Sequence, residues 1–348
     1  AEGGALESWL GEHGEGLIAL RRNLHAHPEL SGEEFATTEI VFERLGLAGL
    51  ASRRLQSGTG LVCDLEPGSN EPGDRRSGGR LALRADLDAL GMDDEKDVPY
   101  RSQVPGVAHA CGHDVHTAIM LGVALYFAPH RDELPGPVRF IFQPAEEQIP
   151  GGATILTEEG VHEDLSSIIA FHVDPSLAPG KIGLRKGGIT GASDRFVITL
   201  SGPGGHTSRP HQTVDLIYVA GRVVSQLPLL IKHGLDPRET VAVVFGRVNG
   251  GSAENVIPTT VELGGTIRLF DLELWRTMPK LMEQVVTDLA RPLGAGVEIS
   301  YHRGSPPVVN HDGIISSIGA AAQRVLGAEN VAETHQSLGS EDFAWYLE

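Results

Sequence analysis

Three imidazoles, one thiol and one carboxylate fall within eight positions of the chain, in the segment His109-Ala-Cys-Gly-His-Asp-Val-His116. A packed core rarely needs so many metal-ligating groups together. Cys111 and His113 are separated by one small residue and can turn toward one ion, and sulfur with imidazole nitrogen favours zinc or a neighbouring first-row metal over magnesium or calcium. The segment therefore predicts a transition-metal site. The alternative is a loop of helix-capping and buried polar residues with an inert cysteine.

Polar side chains follow three apolar runs that are predicted to be buried strands. The runs at residues 80–85, 138–142 and 167–171 lead into Asp86 and Asp88, into Glu146 and Glu147, and into His172. In open α/β sheets, ligands gather outside the carboxyl ends of the strands. We therefore expect these polar side chains to converge at one edge of a sheet.

Glu146 and Glu147 are adjacent, so their side chains leave the strand end in different directions and are expected to differ in role. One can bind the ion. The other can take a proton from water whose pKa the ion has lowered, and can pass it to a leaving amine. The alternative is a solvated acidic pair at the start of a loop, but Pro144 and the glycines at 151 and 152 fix the path of that loop.

Seven short motifs are spread along nearly the whole chain. They are His25-Ala-His-Pro-Glu-Leu30, Arg84-Ala-Asp-Leu-Asp-Ala-Leu90, His109-Ala-Cys-Gly-His-Asp114, Gln143-Pro-Ala-Glu-Glu147, Phe171-His-Val173, Gly204-Gly-His-Thr207 and Gly339-Ser-Glu-Asp-Phe343. In these motifs the chain resembles the binuclear metallo-amidohydrolases and metallopeptidases, which include aminoacylases, hippurate hydrolases, auxin-conjugate hydrolases and, more distantly, glutamate carboxypeptidase. The version with a cysteine resembles the branch that cleaves N-acyl amino acids and related amides.

The resemblance implies roles for individual residues and a binuclear site with two divalent ions per subunit, which are zinc, manganese, cobalt or nickel. The implied metal ligands are Cys111, His113, Glu147 and His172. Glu146 is implied as the general base, and Asp88 as the carboxylate that orients a ligand or a bridging water. Asp86 stands where more distant relatives carry a metal-binding histidine, so its role is left open between ligand and support for a ligand.

The resemblance also places a last metal-ligating histidine a few dozen residues beyond the Gly-Ser-Glu-Asp-Phe motif. The sequence ends at Glu348, five residues after Phe343. We therefore expect the carboxyl end to be incomplete and one of the two metal sites to be weak in the chain as given.

Helix and strand signals alternate up to about residue 187, and the pattern then changes. Helices are predicted at residues 6–24, 33–47 and 113–127, a strand at 59–65 and a polar loop at 68–79. Farther along, strands are predicted at 194–201, 241–248 and 259–269, and helices at 214–230 and 272–289. The predicted fold is an α/β catalytic domain, with a mixed, largely parallel sheet and helices on both faces, and a second α+β unit.

The resemblance identifies the second unit as an inserted lid and dimerisation domain. It implies a discontinuous catalytic domain at residues 1–187 and 304–348 around a lid at 188–303. His206 resembles a histidine that polarises the scissile carbonyl, often in the site of a partner subunit, and Asn255 and Arg268 match polar groups that hold the substrate. Arginine suits a carboxylate because its two parallel N–H groups make charged hydrogen bonds. Without the resemblance, His206 reads as part of an ordinary surface turn.

Composition excludes several classes of partner. The chain has 28 Lys and Arg against 46 Asp and Glu, a net charge of -18, which offers no basic surface for nucleic acid and repels anionic membranes. No apolar stretch is long enough to span a bilayer and no signal pattern opens the sequence, so a cytoplasmic location is expected. The two cysteines predict no disulfide, and Cys63 is expected to be a buried thiol.

The sequence therefore predicts a homodimeric, metal-dependent hydrolase of small N-acyl amino acids or dipeptide-like amides. A dipeptidase or carboxypeptidase would use the same machinery. A protein that kept the fold as an inactive ligand-binding relative is the alternative from another class. A Cys111 nucleophile activated by His113 would be excluded if metal removal abolishes turnover and metal restores it.

Overall fold

The computed structural model describes residues 3–68 and 79–348 of the chain. The predicted polar loop at 68–79 therefore lies almost wholly outside the described residues. Contacts divide the chain into two units, Ala1–Gly180 together with Glu348, and Lys181–Leu347. The predicted domain boundaries, 1–187 with 304–348 against 188–303, stay a prediction. Among the described residues, no helix is long and apolar enough to cross a membrane.

The first unit is built on a five-stranded mixed sheet. Its strands are β1 (Ser52–Arg54), β2 (Leu61–Leu65), β3 (Arg80–Asp86), β4 (Val138–Gln143) and β5 (Leu165–Ala170). They lie in the order β1-β2-β4-β3-β5. β3 runs parallel to both of its neighbours, whereas β2 is antiparallel to β1 and β4. The predicted mixed sheet is confirmed, and its parallel part is β4-β3-β5.

Four helices accompany this sheet: α1 (Gly3–Ala26), α2 (Phe35–Leu47), α3 (His113–Phe127) and α4 (Gly152–Glu158). Phe140, Ile141 and Phe142 of β4 are all 0% exposed. Because successive strand residues point to opposite faces, β4 is covered on both sides. Phe140 and Phe142 belong to the core that includes residues of α1, α2 and α3.

The register of the parallel strands brings their carboxyl ends together. Asp86 of β3 pairs with Gln143 of β4, and Arg84 pairs with Ala170 of β5. Each strand therefore stops within two or three residues of the same level, and the polar residues that follow leave the sheet at one edge. The predicted convergence of the three strand ends is confirmed.

The second unit is an α+β arrangement around an antiparallel sheet. Its elements are β6 (Ile182–Leu184), β7 (Gly187–Thr190), β8 (Asp194–Ser201), β9 (Gly205–His206), α5 (Leu216–His233), β10 (Val241–Gly250), β11 (Val256–Ile257), β12 (Thr260–Leu269), α6 (Leu272–Ala290), β13 (Gly296–His302), β14 (Val308–Asn310), α7 (Asp312–Leu326) and β15 (Val331–Glu333). The main sheet has the order β10-β12-β8-β13. Along β8, Phe196, Ile198 and Leu200 are buried in the core that α5 and α6 also line, while the residues between them are more exposed. This alternation is the half-buried strand that the sequence predicts.

A buried carboxylate ties the start of β8 to the residues that follow β13. Asp194 is 1% exposed and accepts hydrogen bonds from Trp275 Nε1 at 3.1 Å, from the Tyr301 hydroxyl at 2.6 Å and from the Gly304 amide at 2.9 Å. Burial, and then the adjacent Asp194, raise the pKa of Tyr301 above its ordinary value. The carboxylate therefore satisfies three donors drawn from helix, strand and loop.

We expect Asp194→Ala to lower the free energy of unfolding by about 3 kcal/mol or more, because it leaves buried donors without an acceptor. Tyr301→Phe should cost about 1 kcal/mol, since it removes one hydrogen bond but keeps the ring. Thermal and urea unfolding would measure both. Asp236, which bonds Arg238 at the surface, gives the control, and Asp236→Ala should leave the melting temperature unchanged. Equal effects of the two aspartate variants would contradict the assignment.

Candidate metal centre

Residues from three segments of the first unit meet at the carboxyl edge of its parallel strands. One ligand atom each of Cys111, His113 and His172 lies within 4.8 Å of the others, and the same holds for His113, Glu146 and Glu147. His113 Nε2 lies 3.9 Å from Glu147 Oε1 and 4.0 Å from Glu146 Oε2. His113 is therefore the centre of the cluster. All four predicted ligands and the predicted base are brought together.

Gly112 allows the Cys111–His113 segment to approach the end of β5. Its φ is +85°, a left-handed conformation that disfavours residues with a side chain, and it immediately precedes α3. A Cβ at this position would lie 2.4 Å from Cγ2 of Val173. The two segments can come this close because residue 112 has no side chain, which explains why a glycine stands between the two predicted ligands.

Asp88 fixes the tautomer and the orientation of His113. Asp88 Oδ1 lies 3.2 Å from Nδ1 of the buried His113 ring, which donates to it. The other oxygen of Asp88 accepts from the Ser31 hydroxyl at 2.6 Å and from the Glu147 amide at 2.9 Å. Burial opposes the charge of Asp88, but these hydrogen bonds outweigh it and lower the pKa of Asp88. The arrangement leaves Nε2 of His113 facing the cluster, as in the carboxylate–histidine–metal arrangement of known sites.

His116 is close to the cluster but both of its ring nitrogens are used elsewhere. Nδ1 donates to Asp86 Oδ1 at 2.6 Å, and Nε2 accepts the Val173 amide at 2.9 Å. Burial lowers the pKa of His116, which agrees with a neutral ring. His172 in turn donates from Nδ1 to the Val173 carbonyl at 2.7 Å, so that Nε2 is the nitrogen left for an ion.

Asp86 supports His116 rather than facing the cluster alone. Its second oxygen accepts from Arg84 at 2.6 Å, and both side chains are almost completely buried. The Nε of Arg84 donates to Gln143 at 2.9 Å. Arg84, Asp86, His116 and the Val173 amide therefore form one buried chain of hydrogen bonds that ends beside His172. The sequence left the role of Asp86 open between metal ligand and support for a ligand, and this geometry favours support.

The residues of the cluster fit a bound metal ion. Among the described residues, His113 Nε2 and Glu147 Oε1 are buried polar atoms without a hydrogen-bond partner. Such atoms are costly unless something else satisfies them. A thiol, imidazoles and a carboxylate at this spacing are the donors that zinc and neighbouring metals prefer.

Protonation of the donors also agrees with a cation site. The neighbouring His113 lowers the pKa of the Cys111 thiol, but burial and the Glu147 carboxylate outweigh it, and the net shift is upward. Burial opposes a charge on His113, yet Asp86 and Asp88 outweigh it and raise its pKa. Excess negative charge around the cluster thus favours a cation, and metal binding replaces the protons.

The predicted substrate residues lie in the second unit. His206 of β9 pairs with Val256 of β11, and the Asn255 carbonyl accepts from the Thr207 amide at 3.1 Å, so His206 and Asn255 are neighbours. His206 lines an open pocket of ≈ 490 Å³ together with Gly204, Gly205, Ser208, Arg209, Gln212 and Thr213. Arg268 lies on β12 and donates to the Leu338 carbonyl. The roles of these three residues stay predictions.

Four polar residues that support the cluster were not singled out by sequence: Ser31, Glu34, Arg84 and Gln143. Arg84 and Gln143 stand inside motifs, but their partners are set by the pairing of β3 with β4. Ser31 and Glu34 lie in a turn before α2, where polar residues are ordinary. Only the proximity of Ser31 to the His-Ala-His-Pro-Glu-Leu motif could have drawn attention to it.

We expect Asp86→Asn to weaken metal binding by about 10-fold or more, although it removes no metal ligand, because partners of ligating groups commonly have effects of this size. Competition with a chromophoric chelator would measure the affinity. Asp64→Asn is the matched control, because Asp64 pairs with Arg139 in the same sheet but away from the cluster. An Asp86→Asn chain with unchanged affinity would show that the buried chain of hydrogen bonds has no influence on the site.

The sequence matches peptidase family M20/M25/M40 over residues 82–348. An N-acyl-L-amino acid amidohydrolase of Geobacillus stearothermophilus is 40% identical over 296 residues, which cover 85% of this chain and 78% of that protein. A Rhodococcus jostii protein whose name describes a glutamate–cysteine ligase is 42% identical over 332 residues, but the chain spans only 41% of its length. The crystal structure of Bacillus subtilis YXEP, described as a dinuclear metal-binding peptidase, is 35% identical with a TM-score of 0.81, covering 95% of this chain and 85% of that one. These matches, together with the geometry of the cluster, place the chain in peptidase family M20/M25/M40.

Proposed function

We propose that this chain, a hydrolase of the M20/M25/M40 family, cleaves the amide bond between an acyl group and an amino acid. The observation that carries the proposal is the pair Glu146 and Glu147. Their carboxylate oxygens lie 4.0 and 3.9 Å from Nε2 of His113. Two carboxylates at one strand end can divide the work of holding an ion and moving a proton. The N-acyl-L-amino acid amidohydrolase among the relatives supports this class of substrate.

Cys111, His113, Glu147 and His172 would hold the metal. A divalent ion there supplies a Lewis acid for the scissile carbonyl and lowers the pKa of water. Two ions per subunit, drawn from zinc, manganese, cobalt and nickel, form part of the proposal, and the dinuclear description of the YXEP structure supports that number.

Glu146 acts as the general base. Its carboxylate takes one proton from the attacking water and then gives a proton to the nitrogen of the leaving amine, so that one water is consumed for each amide bond broken. Asp88 keeps His113 oriented through Nδ1 and also holds the Glu147 amide. His206 donates to the developing negative charge on the carbonyl oxygen, Asn255 holds the substrate, and Arg268 binds its free carboxylate.

A dipeptidase or carboxypeptidase would use the same residues, and an inactive ligand-binding relative would keep the metal cluster without turnover. A panel of N-acetyl, N-benzoyl and indole-acyl amino acids, assayed beside dipeptides, separates the proposed amidohydrolase from a peptidase. Turnover of any of these substrates excludes the inactive ligand-binding relative.

We expect Glu146→Gln to keep its metal and to lose turnover by at least ~100-fold, because general-base catalysis typically contributes that much. Glu147→Gln should instead lower the metal content, because it removes a charged ligand oxygen. Elemental analysis and steady-state kinetics on both variants make the comparison. Equal metal content in the two variants would mean that the roles of the pair are wrongly assigned, and near-normal turnover of Glu146→Gln would refute the base.

Chelation should abolish hydrolysis of N-acyl amino acids, and zinc, manganese, cobalt or nickel should restore it. The reason is that a bound ion would supply the Lewis acid for the scissile carbonyl and would lower the pKa of water. Hydrolysis is followed by release of the free amino acid before and after dialysis against a chelator. Cys111→Ser serves as a second arm, since oxygen binds zinc less well than thiolate and should raise the metal concentration required. Full activity of the metal-free chain would refute the mechanism.

The proposal includes a homodimer formed through the second unit. β10 is an edge strand of ten residues, and Val244 and Val248 on it are 58% and 57% exposed. Tyr218 and Ile217 at the start of α5 are also exposed, at 58% and 50%. A long edge strand with exposed valines is a surface that folded proteins usually cover. A second copy of the chain would cover it and would bring His206 to the partner's site, as the resemblance implies.

Mixing His206→Ala chains with Glu146→Gln chains should then restore activity, because each mixed dimer contains one site that has both an unchanged Glu146 and an unchanged His206 from the other chain. Activity is measured after refolding the mixture, and tagged chains verify that mixed dimers have formed. Mixing two Glu146→Gln preparations is the control. Verified mixed dimers without activity would indicate that each chain contains its whole site.

A further inference from the structure

The carboxylate of Glu34 is buried and is not used by the helix that it precedes. Glu34 is 0% exposed and immediately precedes α2, yet its side chain makes no capping hydrogen bond to that helix. Glu29 performs the capping instead, because its two oxygens accept from the Ala36 amide at 2.9 Å and the Thr37 amide at 2.7 Å. A glutamate buried without a role in its own helix needs another explanation.

That explanation lies in the loop after β4. Glu34 Oε1 accepts the Ala145 amide at 2.8 Å, across a separation of 111 residues, and also accepts the Gly32 amide at 2.9 Å. Ala145 has a φ of +55°, in the left-handed region that residues other than glycine rarely adopt. A left-handed alanine persists only when surrounding contacts hold it. The hydrogen bond from Ala145 to Glu34 is such a contact.

Two buried carboxylates therefore hold the loop on either side of Glu146. Glu34 holds the amide of Ala145, and Asp88 holds the amide of Glu147 at 2.9 Å. Ser31 of the same turn as Glu34 donates to Asp88, and its carbonyl accepts from the Gln148 side chain at 2.9 Å. The turn at residues 31–34 thus forms a cradle for residues 145–148.

The far side of the loop is also closely packed. The Gly152 amide donates to the Ala145 carbonyl at 2.9 Å, and a Cβ on Gly152 would lie 1.8 Å from the Pro144 carbonyl oxygen. The peptide units on both sides of Ala145 are thereby fixed. The directions in which Glu146 and Glu147 leave the backbone follow from the conformation of Ala145, since a change from left-handed to right-handed φ would re-aim both side chains.

We propose that Glu34 is a positioning residue, which holds Ala145 in its left-handed conformation and so directs Glu147 to the metal and Glu146 to the water. The inference deepens the proposed function and rests on its assignment of this pair. Glu34 itself touches neither substrate nor ion. Its effect is transmitted through one amide, and the property that matters is a hydrogen-bond acceptor of the right length, rather than a charge.

Binding of Co²⁺ alone provides a readout that does not depend on catalysis. Glu34→Leu, which removes the acceptor, should weaken Co²⁺ binding by about 10-fold or more, as is common for groups that orient ligands. Glu34→Gln keeps a carbonyl acceptor of the same length and should bind Co²⁺ within about 3-fold of the parent chain, well inside the range expected for lost orientation. Titration followed by the visible absorption of Co²⁺ measures both. Unchanged affinity of Glu34→Leu overturns the proposal.

Glu29→Leu is the matched control, because the Glu29 side chain accepts two backbone amides from the start of the same helix, whereas Glu34 accepts an amide of the loop. It should lower the melting temperature and leave the Co²⁺ affinity unchanged. Glu34→Asp keeps the charge but shortens the side chain, and it decides the question if Glu34→Leu does not fold. Weak binding by Glu34→Asp together with normal binding by Glu34→Gln supports the proposal, and the reverse order overturns it.

A second substitution tests the conformational step directly. Glycine adopts the left-handed conformation without the cost that alanine bears. Ala145→Gly in the Glu34→Leu background should therefore recover about 5-fold of the lost Co²⁺ affinity, and no recovery overturns the role assigned to Ala145. The Co²⁺ series is independent of turnover. Failure of the parent chain on every N-acyl amino acid would remove the proposed function alone, whereas normal hydrolysis with a flat Co²⁺ series would remove only the role of Glu34.

Discussion

The parallel register of β4, β3 and β5 is the constraint on which the candidate site depends. Asp86 pairs with Gln143, and Arg84 with Ala170, so residues from distant parts of the sequence leave the sheet at one level. A slip of one residue in either pairing would turn each following side chain to the other face. Burial of both faces of β4 makes such a slip costly. The hydrophobic core of the first unit therefore sets the spacing of groups that are themselves polar.

Burying those polar groups has a cost that the hydrogen bonds around them offset. Asp86, Asp88 and Glu34 are all almost completely buried carboxylates, and each accepts hydrogen bonds from donors fixed by the backbone or by a buried arginine. Each carboxylate orients a part of the site: Asp86 holds His116, Asp88 holds His113 and the Glu147 amide, and Glu34 holds the Ala145 amide. The negative charge of Asp86 and Asp88, whose pKa values are lowered, also suits a cation at the centre of the cluster.

Local patterns in the sequence predict much of this arrangement, and long-range contacts account for what they miss. The helix at residues 113–127 and the strand at 194–201 have the predicted bounds, because apolar spacing alone decides them. The helix predicted from residue 33 begins at Phe35, because Glu34 is drawn into a contact 111 residues away. The sequence Glu33-Glu34 resembles an ordinary solvated pair, and no local signal tells which member is buried. The role of His116 likewise depends on an amide 57 residues distant.

The contact between Gly112 and Val173 bears on how the cluster meets an ion. The separation of the Cys111 and His172 segments is set by packing, because a Cβ at position 112 would lie 2.4 Å from Cγ2 of Val173. Any residue with a side chain at 112 would have to push the start of α3 away from the residues that follow β5. The distance between two of the proposed ligands therefore depends on a residue that has no side chain and offers no atom to an ion.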